Sequence, residues 1–255
     1  MQKGERSMAG NRMIDIHMHV VPGIDDGPYS ADAALKMIRS SYEQGVTDIF
    51  CTSHSWGCCE NYTDEFQALK SRVEERGIGV KLHPGCEIDC MPNAVEAIIG
   101  DIRNGQSRTL GTSDYVLLEF DRHISVEDLM STIQKIIALR NNHIVIAHIE
   151  RLNCLHKKES AIDDLQGLGC LFQLNAYSLI EERNNRIRSF ARKMVEQQRI
   201  SFLGSDAHRM DHRPPNVTSG MQYIYETAPS NYADAVCYKN AEKFLFTGLS
   251  KSVVV

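Results

Sequence analysis

His17 and His19 stand two residues apart in Ile14-Asp15-Ile16-His17-Met18-His19, and the acidic turn Pro22-Gly23-Ile24-Asp25-Asp26-Gly27 follows. Residues two apart on a strand point the same way, so both imidazoles leave one face while Ile14, Ile16 and Met18 pack on the other. Imidazole beside carboxylate is a donor set for a catalytic divalent metal. Similar side chains close the later apolar runs. His54 ends Thr52-Ser53-His54-Ser55, Glu87 follows Pro84-Gly85-Cys86, and Glu119 ends Leu117-Leu118-Glu119-Phe120. His148 lies in Ile146-Ala147-His148-Ile149-Glu150-Arg151, and Asp206 and His208 lie in Gly204-Ser205-Asp206-Ala207-His208. With Asp26 these make five imidazoles and four carboxylates, too many for one ion. Two or three divalent metals with bridging carboxylates would satisfy them; packed without metal, the acids would repel one another and shift their pKa values. A set without thiolate favours Mn, Fe or Zn over Mg or Ca. Asp15 reads as an interior group supporting the ligands.

Two arginines complete the constellation. Arg151 comes three residues after His148, and Arg213 five after His208, just before Pro214-Pro215. A guanidinium beside clustered metals is suited to holding phosphate bidentately. Of the histidines off the strand-end pattern, His143 and His156 read as surface or loop residues. His123 and His212 are placed to line a substrate pocket, and His83 has no assigned role.

These residues need a scaffold that brings many strand ends to one rim. Strand-like runs are expected at 13–20, 47–52, 80–88, 115–120, 144–149, 171–175 and 201–205. Helical spacing is expected at 31–44, 63–76, 126–140, 160–168 and 180–198, with Ser30 and Ser125 as N-caps and Gly45 as a stop. Strands alternating with helices imply parallel pairing through crossovers, and seven such strands suggest a closed or nearly closed barrel. In α/β barrels the active site lies at the C-terminal strand ends, where the candidate ligands fall. The 255 residues, 42% hydrophobic, fit one domain from residue 13 onward. Residues 1–12 read as a disordered tail or an appended cloning segment, with the natural start at Met8 or Met13.

Bulk properties exclude other classes. The net charge is −5 and no Lys/Arg run stands out, which argues against nucleic acid or an anionic membrane as partner. No apolar run approaches the ~18 residues of a membrane span, and the N-terminus lacks a signal-peptide core. The eight cysteines include no Cys-x-x-Cys pair and read as small buried hydrophobes of a reducing cytosol; adjacent Cys58 and Cys59 read as exposed. None has an Arg six positions on, the spacing a cysteine-based phosphatase needs to cradle phosphate in one loop.

Taken in order, these motifs resemble the polymerase-and-histidinol-phosphatase (PHP) superfamily. Within it they are most similar to the manganese-dependent bacterial protein tyrosine phosphatases of capsule and exopolysaccharide gene clusters. The resemblance runs from about Met13 to near the C-terminus. It rests on His17 to Gly27, Thr52-Ser53-His54, the Pro-Gly-x-Glu at 84–87, the Ala-His-Ile-Glu-Arg at 147–151, the Ser-Asp-Ala-His at 205–208 and the Arg-Pro-Pro at 213–215. It implies an α/β fold, a distorted (β/α)7 TIM-like barrel of PHP type, holding three divalent ions with Mn first and Fe or Zn as alternatives. His17, His19, Glu87 and Asp206 would hold one ion. Glu87 as bridge, Glu119 and His148 would hold a second, and Asp26, His54 and His208 a third. Arg151 and Arg213 match the phosphate-contacting arginines, and with Asp206 and His208 form the implied catalytic set. The implied reaction is attack of a metal-bridging hydroxide on a phosphotyrosyl group. The implied partner is a cytoplasmic tyrosine autokinase domain of polysaccharide export.

The chain departs from this pattern at Ser55, where relatives often carry another His or a basic residue, in the 56–62 loop, and at Asp121-Arg122-His123. These departures bear on the substrate pocket more than on the metals. The rival readings are a histidinol phosphatase or other small-molecule phosphomonoesterase, a metal-dependent amidohydrolase, and a degenerate binding module. No Lys ends a central strand, as the amidohydrolase reading would want.

Overall fold

The computed structural model describes residues 12–57, 61–139 and 143–246. The tail before residue 12, Cys58 and Cys59, and the end of the helix expected at 126–140 lie outside the described residues. The chain folds into a mixed α/β structure of eight strands among the described residues, all paired in parallel. They are β1 (Met13–Met18), β2 (Val46–Cys51), β3 (Lys81–Pro84), β4 (Glu87–Asp89), β5 (Tyr115–Glu119), β6 (His143–Ile146), β7 (Leu171–Asn175) and β8 (Phe202–Gly204). They form two sheets, ordered β1-β2-β3 and β4-β5-β6-β7-β8.

The strand expected at 80–88 is therefore two strands. Its break at Gly85-Cys86 passes the chain from one sheet to the other. At that passage Glu87 N donates to Ser53 O (3.1 Å) and Ser55 N donates to Glu87 O (2.8 Å). At the other meeting of the sheets, His19 N donates to Ala207 O (2.9 Å) and Asp206 N donates to His17 O (2.8 Å). The backbone thus joins the two sheets at residues that carry the candidate ligands.

The helices are α1 (Ala31–Glu43), α2 (Tyr62–Glu75), α3 (Val95–Arg103), α4 (Val126–Leu139), α5 (Glu159–Gly167), α6 (Asn185–Glu196), α7 (Thr218–Thr227), α8 (Ser230–Asp234) and α9 (Asn240–Leu245). Both expected N-caps are present. Ser30 Oγ accepts from Ala33 N, and Ser125 Oγ accepts from Asp128 N at 3.0 Å. Gly45, at φ +90°, follows α1 in a conformation that suits glycine. The helix expected at 180–198 starts only at Asn185, where Asn184 caps it through Ile187 N. The short α3 and the four-turn-or-less pieces after residue 218 were not anticipated; each offers too brief a periodic pattern to read.

The β1 alternation is also broken. Ile14 and Ile16 pack with Phe50, Leu117, Val145 and Phe202, whereas Met18 joins the larger cluster beneath the helices with Met37 and Ile38. A register irregularity between Asp15 and Met18 turns the strand within that interval. Complete burial of a side chain such as Phe50 or Phe172 contributes about 1.5–3 kcal/mol, so the strand ends sit on a well-packed base.

Candidate active site

Two of the strand ends leave in left-handed backbone. His148 (φ +28°) and Asp206 (φ +52°) take conformations that cost a non-glycine residue about 1–3 kcal/mol. Each is held there by hydrogen bonds: His148 N donates to Gln173 Oε1 (2.6 Å), and Asp206 N to His17 O. Close packing behind them leaves no slack. A Cβ on Gly204 would come within 2.8 Å of His17 Cβ and 2.7 Å of Gln173 Nε2.

Eight of the nine expected ligands fall into overlapping donor groups, the largest number of them around Glu87, which is buried. Glu87 Oε2 lies 3.0 Å from His19 Nε2, 3.2 Å from His17 Nε2 and 3.5 Å from His54 Nδ1. Its Oε1 lies 3.0 Å from His148 Nε2, which is 3.2 Å from Glu119 Oε1. Asp26 Oδ1 is 3.3 Å from His208 Nε2 and 3.8 Å from His54 Nε2. Donor atoms of three groups, His17–His19–Glu87, Glu87–Glu119–His148 and His19–Asp26–His54–His208, each lie within 4.8 Å of one another. That spacing suits donors disposed around a cation at metal–ligand bond lengths of about 2.0–2.2 Å. Asp206 stands slightly apart, its Oδ1 3.7 and 3.8 Å from the Nε2 atoms of His17 and His19. It instead receives Arg213 Nη1 (2.9 Å), Arg151 Nη2 (2.7 Å) and Asn175 Nδ2 (2.9 Å).

The electrostatics match a cation-binding nest. Burial alone would drive Glu87 toward the neutral acid, but His17, His148 and His19 hold it well below the usual carboxylate range. Burial pulls His19 down, yet the hydrogen bonds it donates to the Asp25 and Glu87 carboxylates raise it well above the ordinary imidazole value. Burial and Arg151 oppose the charge on His148, and Glu119 and Glu87 overcome them to lift it to about 9. His208 goes the other way: burial and the stacked His19 ring, 3.8 Å between centroids, lower it to about 3 and leave it neutral and ready to ligate. His54 Nδ1 and His148 Nδ1 are buried without a hydrogen-bond partner. The orphaned His54 Nδ1 lies 3.5 Å from Glu87 Oε2 and 3.6 Å from Glu119 Oε2, and an imidazole nitrogen so placed among carboxylates fits divalent metals of the Mn, Fe or Zn type.

Five further residues escaped the sequence reading. Asp25 Oδ2 accepts from both His19 Nδ1 (2.8 Å) and His54 N (2.9 Å), so the first acid of the turn orients the imidazoles while the second faces the nest. Gln173 Oε1 lies 3.1 Å from His17 Nδ1, and Tyr177 OH accepts from Arg151 Nη2 (2.8 Å). Asn175 ties Asp206, and Asp89, which burial and Glu119 push up to about 7, lies 3.9 Å from His54 Nδ1. A signal existed for three of them. Gln173 and Asn175 are two apart in an otherwise apolar strand, and Asp89 is two after Glu87, the same spacing as His17 and His19. Asp15 takes the supporting role expected of it, accepting from Ser205 N (2.9 Å) and His17 N (3.1 Å).

A cavity of about 690 Å³ opens beside Arg151 and Arg213, and His123 and His212 line it as expected. A second opening of about 620 Å³ reaches Glu119 and His148 and shares Arg122, His123 and Arg151 with the first. His143 is exposed, as expected. His156 is not a plain surface residue: its ring stacks on Phe190 at 4.2 Å and its Nε2 donates to Glu150 O (2.7 Å). His83 pairs with Asp48 away from the nest. Cys51, Cys86, Cys90, Cys170 and Cys237 are buried, and burial pushes the Cys90, Cys170 and Cys237 thiols up to about 12, so these sulfurs stay protonated.

Comparison with known proteins agrees with this geometry. The tyrosine-protein phosphatase CpsB of Streptococcus agalactiae is 29% identical over 243 residues, covering 91% of this chain and 98% of the relative. CpsB of Streptococcus pneumoniae is 29% identical over 247 residues, covering 93% and 100%. Among solved structures, one from work on YwqE of Bacillus subtilis and CpsB of S. pneumoniae, described as unique metal-dependent tyrosine phosphatases, superposes with a TM-score of 0.81. It is 26% identical and covers 91% of this chain and 94% of its own. From residue 13 to residue 246 the chain matches the family model for capsular polysaccharide synthesis, CpsB/CapC, and it belongs to that family.

Proposed function

We propose that this protein is a metal-dependent protein-tyrosine phosphatase that hydrolyses phosphotyrosine on a protein substrate. The observation that carries this is the convergence of four imidazoles, His17, His19, His54 and His148, on Glu87, with Asp26 and His208 grouped beside His19 and two guanidiniums at the edge of the same nest. The finer reading is a single domain forming a distorted (β/α)7 barrel with three divalent ions, Mn in the first place. His17, His19, Glu87 and Asp206 would hold one ion. Glu87, Glu119 and His148 would hold the second, and Asp26, His54 and His208 the third.

When bound, the ions supply an acidified water as nucleophile and neutralise charge on the phosphoryl oxygens. Arg151 and Arg213 grip the phosphoryl oxygens, a task their forked donors suit. Both lie against the Asp206 carboxylate, which keeps them aimed at the nest. Tyr177 OH holds Arg151 from behind. His208, kept neutral, serves as a ligand rather than as an acid. The phenolate leaving group has a conjugate-acid pKa near ~10 and departs into the open cleft, taking its proton from solvent. Protonated buried thiols and the missing Cys-to-Arg spacing leave the cysteines outside the chemistry.

The substrate in this reading is the phosphorylated tail of a tyrosine autokinase of polysaccharide export, met in the cytoplasm. Among the described residues no helix is long and apolar enough to cross a membrane. Histidinol phosphate would use the same ligands, so turnover decides between them. With Mn present, a phosphotyrosyl peptide from such a kinase tail is expected to be hydrolysed with a kcat/KM at least about 100-fold above histidinol phosphate. The opposite preference would assign the small-molecule reading.

A further inference from the structure

The cleft beside the nest carries more positive charge than one phosphate uses. Its 690 Å³ cavity is bordered by Arg122, Arg151, Arg186 and Arg213 with His123 and His212, and none of its lining residues is acidic, in a chain whose net charge is −5. Arg151 and Arg213 are paired with Asp206. Arg122 and Arg186 have no carboxylate within ion-pair distance among the described residues, and both are exposed to the cleft.

The backbone of Arg122 and the side chain of Arg186 are tied to the turn that carries Arg151. Asn153 N donates to Arg122 O at 3.0 Å, which clips the loop after β5 to the segment two residues beyond Arg151. Arg186 Nε donates to His156 Nδ1 (3.1 Å), and His156 Nε2 donates to Glu150 O (2.7 Å), the residue before Arg151. That chain requires the neutral His156 tautomer protonated on Nε2, and burial, which lowers this imidazole's pKa, favours it. An arginine whose Nε is engaged from behind still presents its terminal nitrogens forward, the arrangement that receives an anion.

We propose that Arg122 and Arg186 form a second anion subsite, which takes an acidic group on the substrate chain beside the phosphotyrosine. The shared chemistry is a planar or tetrahedral oxyanion, from an Asp/Glu carboxylate or from a second phosphate. The proposal rests on the phosphatase reading above. It makes the enzyme selective for phosphotyrosine in acidic sequence.

The test uses the Mn-loaded full chain and four phosphotyrosyl peptides of one length, flanked by Ser/Gly, by Asp/Glu, by a second phosphotyrosine, or by Lys, with p-nitrophenyl phosphate as the reference. At low salt the acidic or doubly phosphorylated peptide is expected to exceed the neutral one in kcat/KM by on the order of tenfold, chiefly through KM. The gap should narrow as ionic strength rises. Which of the two gains identifies carboxylate or phosphate as the ligand. The double variant Arg122→Glu with Arg186→Glu is expected to reverse the order in favour of the Lys-flanked peptide. Equal turnover of all four peptides by the unaltered enzyme, or a double variant that keeps the acidic preference, overturns the subsite. The salt-dependent preference of the unaltered enzyme decides the matter even where the variant fails to fold. No turnover of p-nitrophenyl phosphate or of any peptide would sink the phosphatase reading, and the subsite with it.

Discussion

The floor and the wall of this site are built on opposite principles. On the floor, His17, His19, Glu87, His148, Asp206 and His208 are each at most 2% exposed, and most are held by a partner outside the donor set. Asp25 orients His19, Gln173 fixes His17 and the His148 backbone, and Asn175 secures Asp206. On the wall, Arg122 stands in solvent on the loop after β5, Arg186 stands in solvent on the first turn of α6, and Arg213 is partly exposed. Clustered charges must be desolvated and rigid to bind metal tightly, so the floor is set when the sheets come together. The wall needs only reach and charge, so it can change without disturbing the floor.

The contrast can be broken most severely at its centre. Glu87→Gln removes the carboxylate that lies against His17, His19 and His148, and it is expected to lower phosphatase activity by roughly 10³-fold or more, with the metal content per chain falling in parallel. A variant that keeps both its metal and its turnover would show that the floor is not the metal centre. Arg151→Ala acts on the wall side. Activity should fall by about 10²–10³-fold while bound metal stays at the level of the unaltered protein, and Arg151→Lys should not restore it, because an ammonium lacks the fork.

Gln173→Leu probes the support beneath the floor. It removes the acceptor at His17 Nδ1 and at His148 N, and metal affinity measured by competition with a chelator is expected to weaken by about 10–100-fold. Unchanged affinity would mean that the rings need no such orientation. A spectroscopic readout is also built in: Trp56, the one tryptophan of the chain, stacks on His54 with centroids 5.4 Å apart. Adding Mn should quench its emission, and His54→Ala should remove the response.

The smallest effect lies away from both regions. Burial would raise Asp48, but hydrogen bonds from His83 and Thr47 with Arg12 nearby hold it below its ordinary value. A carboxylate depressed in the folded state adds stability above its unfolded pKa of about 3.9, and that contribution is lost as pH falls through the folded value. Asp48→Asn should therefore cost up to about 1 kcal/mol at pH 7 in urea titration, with the difference closing as pH falls below the unfolded carboxylate pKa of about 3.9. A constant difference across that range would assign the loss to packing instead.

The floor was legible because strands impose a period of two on whatever they carry. His17 and His19 announce themselves by that spacing at the end of β1; Asp206 and His208 share the spacing but lie past the end of β8, where Asp206 is in left-handed backbone, so there the spacing marks the pair without the strand geometry. Gln173, Asn175 and Asp89 obey the same rule but were missed, since amides and a second acid are common for many reasons. Division of the expected third strand had a signal in the Pro84-Gly85 dipeptide, a turn marker inside the run at 80–88, but a turn signal does not say that hydrogen bonding changes sheet there. The wall was scarcely legible. Arg122 follows β5, whereas Tyr177 and Arg186 both follow β7, the latter in the first turn of α6, and nothing in their local sequence sets them apart from solvated surface.

The central claim is that this floor works through bound metal. The measurement that bears on it most directly is hydrolysis of p-nitrophenyl phosphate before and after EDTA, with Mn added back, alongside a sample treated with a thiol-alkylating reagent. Activity is expected to vanish in chelator, to return with Mn and to survive alkylation. Full activity in chelator, lost on alkylation, would contradict the account.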